Sequence, residues 1–180
     1  FHIGSQITDM SSFQDLCIKV NELQEYFESK SVKLQHVNVG GGLGISYEHP
    51  NHLSITDFES YFKVFRKYLI LRPGQTLHFE LGRAVVAQCG SLISRVLYVK
   101  EGTLKKFAIL DAGFTELIRP ELYQAYHRIE NLSSELPEEE YDVVGPICES
   151  SDTFAKEYSM NKTKRGDIIA LRSAGAYGEI

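Results

Sequence analysis

Apolar positions along the first half of the chain alternate between two spacings. Residues 1–3 predict a short strand that ends at Gly4 and Ser5. Phe13, Leu16, Cys17, Val20, Leu23 and Phe27 then recur at three and four residues, which predicts an amphipathic helix. Ser11 with Gln14 fits a capping box at its start. Residues 37–39 predict a second strand running into Gly40, Gly41 and Gly42. Phe58, Tyr61, Phe62, Phe65 and Leu69 mark a second helix, with Thr56 and Glu59 as its capping box and Arg72-Pro73-Gly74 as its stop. Residues 77–80 predict a third strand ending at Gly82 and Arg83.

This β-α-β-α-β order is most economically a set of parallel strands joined by helices. From residue 84 the pattern changes. Residues 84–99, 106–111, 141–148 and 167–172 predict strands, linked by turns and a short helix after Pro120, while the acidic stretch 131–140 predicts an exposed loop. The fold class is therefore α/β over residues 1–83, followed by a β-rich segment over residues 84–180. No repeat or low-complexity tract interrupts either part.

Composition narrows the class. Hydrophobic residues make up 43% and charged residues 24%, the balance of a globular protein with a sizeable core. The longest apolar runs, such as Leu69-Ile70-Leu71, are too short to span a membrane. Net charge is −5 with both signs interspersed, which argues against a nucleic-acid partner. Cys17, Cys89 and Cys148 are odd in number and lack CxxC spacing, which points to a reducing cytoplasm and away from structural zinc; no metal is expected. The chain opens at Phe1-His2-Ile3-Gly4 without Met and closes on Tyr177-Gly178-Glu179-Ile180, so it reads as a piece of a longer protein.

Parallel α/β folds carry their chemistry at the carboxyl ends of the strands. Three predicted strand ends hold polar, glycine-flanked clusters: His2 to Ser5, Gly40 to Gly44, and Glu80 to Arg83. Successive glycines let several backbone N–H groups face one anion, yet a glycine run is also an ordinary tight turn. The run matches neither GxGxxG nor a P-loop. Glu80 and Arg83 could pair with each other, or face a heteroaromatic nitrogen and an anion. Arg119 and Tyr123 share a helical face if a turn follows Pro120. Cys148 and Glu149 end an apolar strand, where a lone cysteine is ordinarily core. Tyr177 lies in a run of small residues that permits close backbone approach to a ligand.

Taken together, HIGSQITD at 2–9, NVGGGLGISY at 38–47, ELGR at 80–83, ILDAGFTELIRPELYQAYHRI at 109–129, VVGPICESSD at 143–152 and SAGAYG at 173–178 resemble the diaminopimelate decarboxylases, of the alanine-racemase-like, fold type III pyridoxal-phosphate decarboxylase family. These blocks stand in order over nearly the whole chain. The resemblance implies the last part of a (β/α)8 TIM-type barrel followed by an incomplete β-domain. It implies pyridoxal 5'-phosphate as cofactor, with His2 stacked on its ring and Ser5 nearby. Gly40, Gly41, Gly42, Gly82 and Arg83 then hold the phosphate, Glu80 the pyridine nitrogen, and Tyr177 both phosphate and substrate. Arg83, Arg119 and Tyr123 match substrate-binding residues. Cys148 matches the proton donor to Cα and Glu149 the group that holds the substrate's far amino end, both reaching the partner subunit's site in a homodimer.

The activity so implied is decarboxylation of meso-diaminopimelate to L-lysine and carbon dioxide in the cytoplasm. The alternatives are a decarboxylase of ornithine, arginine or another polyamine precursor, and a relative that kept the fold and lost the chemistry. Arg119, suited to a second carboxylate, with Tyr123 and Glu149, where relatives that act on ornithine typically carry aspartate after the cysteine, together favour diaminopimelate. Two departures stand out. Leu81 replaces the family's proline in ELGR, and the Schiff-base lysine motif is not matched by Lys19, Lys30, Lys33 or any other lysine here. The 180-residue chain alone is accordingly expected to be inactive.

Overall fold

The computed structural model describes residues 1–51 and 56–178. These fall into two compact units, Phe1–Ile45 with Ile55–Val85, and Ser46–Ser54 with Val86–Ile180.

In the first unit, helix α1 spans Met10–Ser29 and helix α2 spans Phe58–Tyr68. Strands β1 (His36–Asn38) and β2 (Thr76–His78) pair in parallel, with Val37 opposite Leu77. The predicted apolar stripe faces inward: Phe13, Leu16, Cys17 and Val20 pack with Val37, Val39, Tyr61 and Phe65. Aromatic edges cement this core, with Phe13 and Tyr61 centroids 4.9 Å apart and Phe65 and Phe79 5.0 Å apart.

Several local expectations need correction. The helix caps are Asp9 and Asp57, not Ser11 and Thr56. Each carboxylate accepts an N–H from the first turn, Ser11 and Ser60 respectively, and so meets the positive helix end with full charge. Helix α2 stops at Tyr68, before Arg72-Pro73-Gly74. Residues 1–3 form no ladder; the segment is tied instead by the Phe1 backbone nitrogen donating to Asn38 O and by a single bridge between Ile7 and Leu43. Residues 84–89 are helical rather than extended, as the short helix α3 (Arg83–Val86) and a 3₁₀ turn (Ala87–Cys89). The turn starts when the Val85 N–H donates to Gly82 O, which overrides the strand preference of Val85 and Val86.

The second unit is a six-stranded sheet made of β3 (Ser91–Glu101), β4 (Lys106–Leu110), β5 (Ile129–Asn131), β6 (Glu138–Val144), β7 (Thr153–Asn161) and β8 (Ile168–Arg172). Its order is β5-β8-β3-β4-β6-β7, antiparallel except for the parallel β4–β6 pair. Helix α4 (Arg119–Tyr123) follows β4 with Pro120 in its first turn, as expected. The acidic stretch 131–140 is only partly loop, because β6 begins at Glu138.

One curled face buries Val96, Ala108, Leu110, Ile129, Tyr141, Val143, Phe154, Ile169 and Leu171. The outermost strands meet through a side chain: the Ile129 N–H donates to Tyr158 Oη at 2.9 Å, and that hydroxyl donates to Ile129 O at 3.2 Å. Burial pushes the Tyr158 phenol up to about 12, so it remains a protonated donor at neutral pH. The curl thus brings the first and last strands of the sheet together and nearly closes it into a barrel.

Candidate active site

In the first unit the parallel pairing places Asn38 and Glu80 at the carboxyl ends of adjacent strands. Asn38 Nδ2 donates to Glu80 Oε1 at 2.7 Å, while Asn38 Oδ1 accepts the Gly40 N–H at 2.8 Å. One amide therefore orients both the carboxylate and the start of the glycine loop. The second Glu80 oxygen accepts from no described residue and faces an exposed surface.

The glycines have a packing role that the sequence reading did not assign. A Cβ on Gly41 would lie 2.1 Å from Glu80 O, one on Gly40 2.3 Å from Phe1 O, and one on Gly42 2.6 Å from Gly4 O. Only hydrogen at these positions lets three chain segments converge. Gly40 O and Gly42 O are used, accepting the Glu80 and Ile7 N–H groups at 2.8 Å each. The N–H groups of Gly41 and Gly42 donate to no described residue. A buried glycine with an idle donor fits an anion held by backbone.

His2 sits over this loop, its Nδ1 3.3 Å from the Cβ position of Gly40. Arg83 Nη2 donates to Ser5 Oγ at 3.1 Å. Gly82 precedes α3 and supplies the carbonyl that starts it. His2, Ser5, the glycine run, Glu80, Gly82 and Arg83 are thus gathered at the strand ends. A free carboxylate oxygen, idle glycine donors, a histidine ring and a guanidinium together fit the pyridine nitrogen, phosphate and ring of pyridoxal 5'-phosphate.

In the second unit, Arg119 and Tyr123 stand at the two ends of a five-residue helix and differ sharply in exposure, 6% against 68%. Arg119 Nη1 donates to Tyr47 Oη at 2.9 Å and to His127 Nε2 at 2.8 Å, and its guanidinium lies 5.0 Å from the Tyr47 ring centroid. His127 Nδ1 meets Arg172 O at 2.8 Å, which sets the proton on Nδ1 and leaves Nε2 as acceptor.

Cys148 and Glu149 are exposed, beyond the end of β6 rather than in it. Tyr177 is exposed at a left-handed turn with φ 58°, where Gly178 abuts Leu117, two residues before Arg119. Close approach in this run serves the chain itself: a Cβ on Gly175 would lie 2.1 Å from Val86 O. Among the described residues no group of three or more His, Cys, Asp or Glu side chains is placed to hold a metal, and no helix is long and apolar enough to cross a membrane.

Comparison with known proteins now decides the family. Residues 10–175 match the model of the pyridoxal-dependent decarboxylase C-terminal sheet domain. The chain belongs to that decarboxylase family. It is 69% identical over 180 residues to a diaminopimelate decarboxylase of Bacteroides thetaiotaomicron, covering all of this chain and 47% of that protein. The crystal structure of diaminopimelate decarboxylase from Helicobacter pylori complexed with L-lysine superposes with a TM-score of 0.87 at 38% identity, covering 99% of this chain and 44% of that one. A lysine/ornithine decarboxylase from Vibrio vulnificus complexed with cadaverine shares the fold, with a TM-score of 0.86 at 20% identity over 99% of this chain and 48% of that one. The chain spans less than half the length of the curated relatives it matches.

Membership of this decarboxylase family bears out the expected fold class, a partial barrel followed by a β-rich domain. The sequence reading did not single out Asn38, Tyr47 or His127. All three lie inside the matched blocks, and Asn38 carried a signal: it stands two residues from His36 on the β1 face that carries Glu80 across the pair.

Proposed function

We propose that this chain acts within a longer polypeptide that decarboxylates meso-2,6-diaminopimelate to L-lysine and carbon dioxide, using pyridoxal 5'-phosphate. The observation that carries the reading is the 69% identity to a diaminopimelate decarboxylase along the whole chain. When bound, the cofactor supplies the electron sink for loss of the carboxylate as carbon dioxide.

The chain's own residues bind, orient and protonate. Glu80, held by Asn38, would keep the pyridine nitrogen protonated. Gly41 and Gly42 N–H groups, with Gly40, Gly82, Arg83 and Tyr177, would hold the phosphate, and His2 and Ser5 would bound the ring. Arg119 and Tyr123, with Arg83, would bind the substrate's carboxylate and polar groups, and Glu149 its distal ammonium. Cys148 Sγ–H would give its proton to Cα after carbon dioxide leaves, and the resulting thiolate recovers a proton from solvent. We further infer a homodimer whose partners share active sites through Cys148 and Glu149, in a cytoplasmic setting.

The test is carbon dioxide release and lysine formation from meso-diaminopimelate with pyridoxal 5'-phosphate, comparing the full-length protein with the 180-residue chain. Activity in the full-length protein alone is expected. Cys148→Ala should retain the cofactor and lose most turnover. If the full-length protein binds cofactor and makes no lysine, the substrate assignment fails and ornithine or another polyamine precursor takes its place.

A further inference from the structure

The loop that carries Cys148 and Glu149 closes around one buried carboxylate. Asp152 is 3% exposed. Its Oδ2 accepts the Ile147 N–H at 2.8 Å, and its Oδ1 accepts the Phe114 N–H at 2.7 Å. Its backbone completes the closure: the Gly145 N–H donates to Asp152 O at 2.9 Å, and the Asp152 N–H donates to Glu149 O at 3.1 Å. The Glu149 N–H in turn donates to Ile147 O at 2.8 Å. Cys148 therefore sits between two residues that are each fixed by Asp152.

Two neighbouring glycines leave room for this carboxylate, Gly113 also for the Ile147 side chain. A Cβ on Gly145 would fall 2.2 Å from Asp152 Oδ2, and one on Gly113 would fall 3.1 Å from Oδ1. No described lysine, arginine or histidine lies within ion-pair distance of Asp152, so its charge is met by backbone donors. A buried charge held only in this way is costly to keep. What it supplies is two acceptors in fixed directions with no donor of its own. Asparagine, with one oxygen and an NH₂, cannot reproduce that.

We propose that Asp152 is a positioning residue that sets Cys148 and Glu149 in register with the segment leading to Arg119. The Phe114 bond is the second half of the device, because residues 113–118 run directly into α4. The same carboxylate thus indexes the proton-donor loop against the carboxylate-binding helix. This rests on the reading of Cys148 as proton donor, and the experiment separates the two.

Asp152→Asn, Asp152→Ala and Cys148→Ala are made in the full-length, cofactor-loaded protein. Readouts are kcat and KM for meso-diaminopimelate, the absorbance of bound cofactor, and the rate of iodoacetamide alkylation at Cys148 and Cys89 by peptide mapping. Cys17 is buried, its thiol pushed up to about 11 by burial, and stays silent.

Asp152→Ala should lower kcat by about a hundredfold, the effect of displacing a reacting group by about an ångström. KM should rise as Glu149 shifts. Alkylation at Cys148 should change while Cys89 and the cofactor absorbance do not. Asp152→Asn, close to isosteric, should show the same pattern more weakly, and carries the test if Asp152→Ala fails to fold. Parental kcat together with a parental Cys148 alkylation rate in Asp152→Asn overturns the proposal. Altered alkylation with unchanged turnover in both Asp152→Asn and Cys148→Ala upholds the positioning and removes Cys148 from the proton-donor role.

Discussion

Replacing Gly41 by alanine tests whether the glycine loop is a packing device on which cofactor binding depends. The added methyl would sit 2.1 Å from Glu80 O and 3.0 Å from Glu80 C, both backbone atoms that cannot swing aside. Relief requires the two strand ends to part by roughly an ångström, as packed interiors leave no slack. That stretches the 2.8 Å bond from the Glu80 N–H to Gly40 O beyond useful range and carries the Glu80 side chain away from Asn38 Nδ2. Overpacking costs about 1–3 kcal/mol, and the broken hydrogen bond adds about 1 kcal/mol. Gly74→Ala is the matched control. Gly74 has φ +84° and nothing within 4 Å of its Cβ position, so its cost is conformational strain of about 1 kcal/mol, far from the strand ends. The assay is cofactor titration by absorbance in the full-length protein, alongside urea unfolding followed by circular dichroism. Gly41→Ala should weaken cofactor affinity by at least about tenfold, since about 1.4 kcal/mol of lost positioning suffices. Gly74→Ala should leave affinity unchanged while lowering the unfolding midpoint. Equal cofactor affinity in Gly41→Ala and the parent would refute the reasoning.

Four further outcomes follow from contacts in the second unit. His127→Ala removes an acceptor from Arg119, a bond to a charged donor worth about 1.5–3 kcal/mol, so KM for meso-diaminopimelate should rise about tenfold or more with little change in kcat. Arg119→Ala should raise KM further, and unchanged saturation curves in both variants would remove this pair from substrate recognition. Lys106, with Tyr141 and Lys162, holds the Glu139 carboxyl at about 2 against an ordinary 4.5, so the unfolded chain binds the proton more tightly than the folded one. The stabilisation is full above the ordinary value and lost as pH falls through about 2. Glu139→Gln should therefore be less stable than the parent at neutral pH and match it at the acid end; a gap independent of pH in urea titrations would contradict the linkage. Tyr141→Phe deletes a hydroxyl that donates to Glu139 Oε2 and accepts the buried Thr163 N–H, each at 3.0 Å. Stranding that N–H should cost about 1–3 kcal/mol, and a loss below about 0.5 kcal/mol would show that the amide finds another partner.

Where the sequence was legible, one element sufficed to explain it. The apolar stripe from Phe13 to Val20 and the stop after β1 at Gly40 are local patterns, and they appear in the fold as read. The errors arise where a second, nonlocal contact decides. Strand β7 was missed because Lys156 breaks its apolar alternation of Phe154, Tyr158 and Met160, next to Glu157, a residue in the left-handed region at φ 52° whose N–H donates to Asp142 Oδ1 on the neighbouring strand. The two helix caps were assigned to hydroxyls that stand one or two residues from the aspartates that do the capping, because a motif counts spacing and not which side chain reaches the free N–H. Residues 84–89 read as a strand from Val85 and Val86, and turn helical because Gly82 offers a carbonyl at the right distance.

The same distinction runs through the candidate site. His2, Glu80, Arg83, Arg119, Cys148 and Tyr177 are polar residues at element ends, and their chemistry can be argued from type and place. Asn38, His127 and Asp152 act on those residues across 42, 8 and 4 positions of chain, so their roles follow from the fold that joins them. Gly41, Gly145 and Gly175 make the point most sharply. In sequence a glycine beside a polar cluster suggests room for a ligand. Here the room is taken by Glu80 O, the Asp152 carboxylate and Val86 O respectively, each within 2.2 Å of the missing Cβ. These glycines draw chain segments to the separations that aim Glu80, Cys148 and Tyr177. An alanine at Gly145 or Gly175 would act on the chemistry through the positions of other side chains, and one at Gly41 would in addition displace the N–H proposed to hold the phosphate.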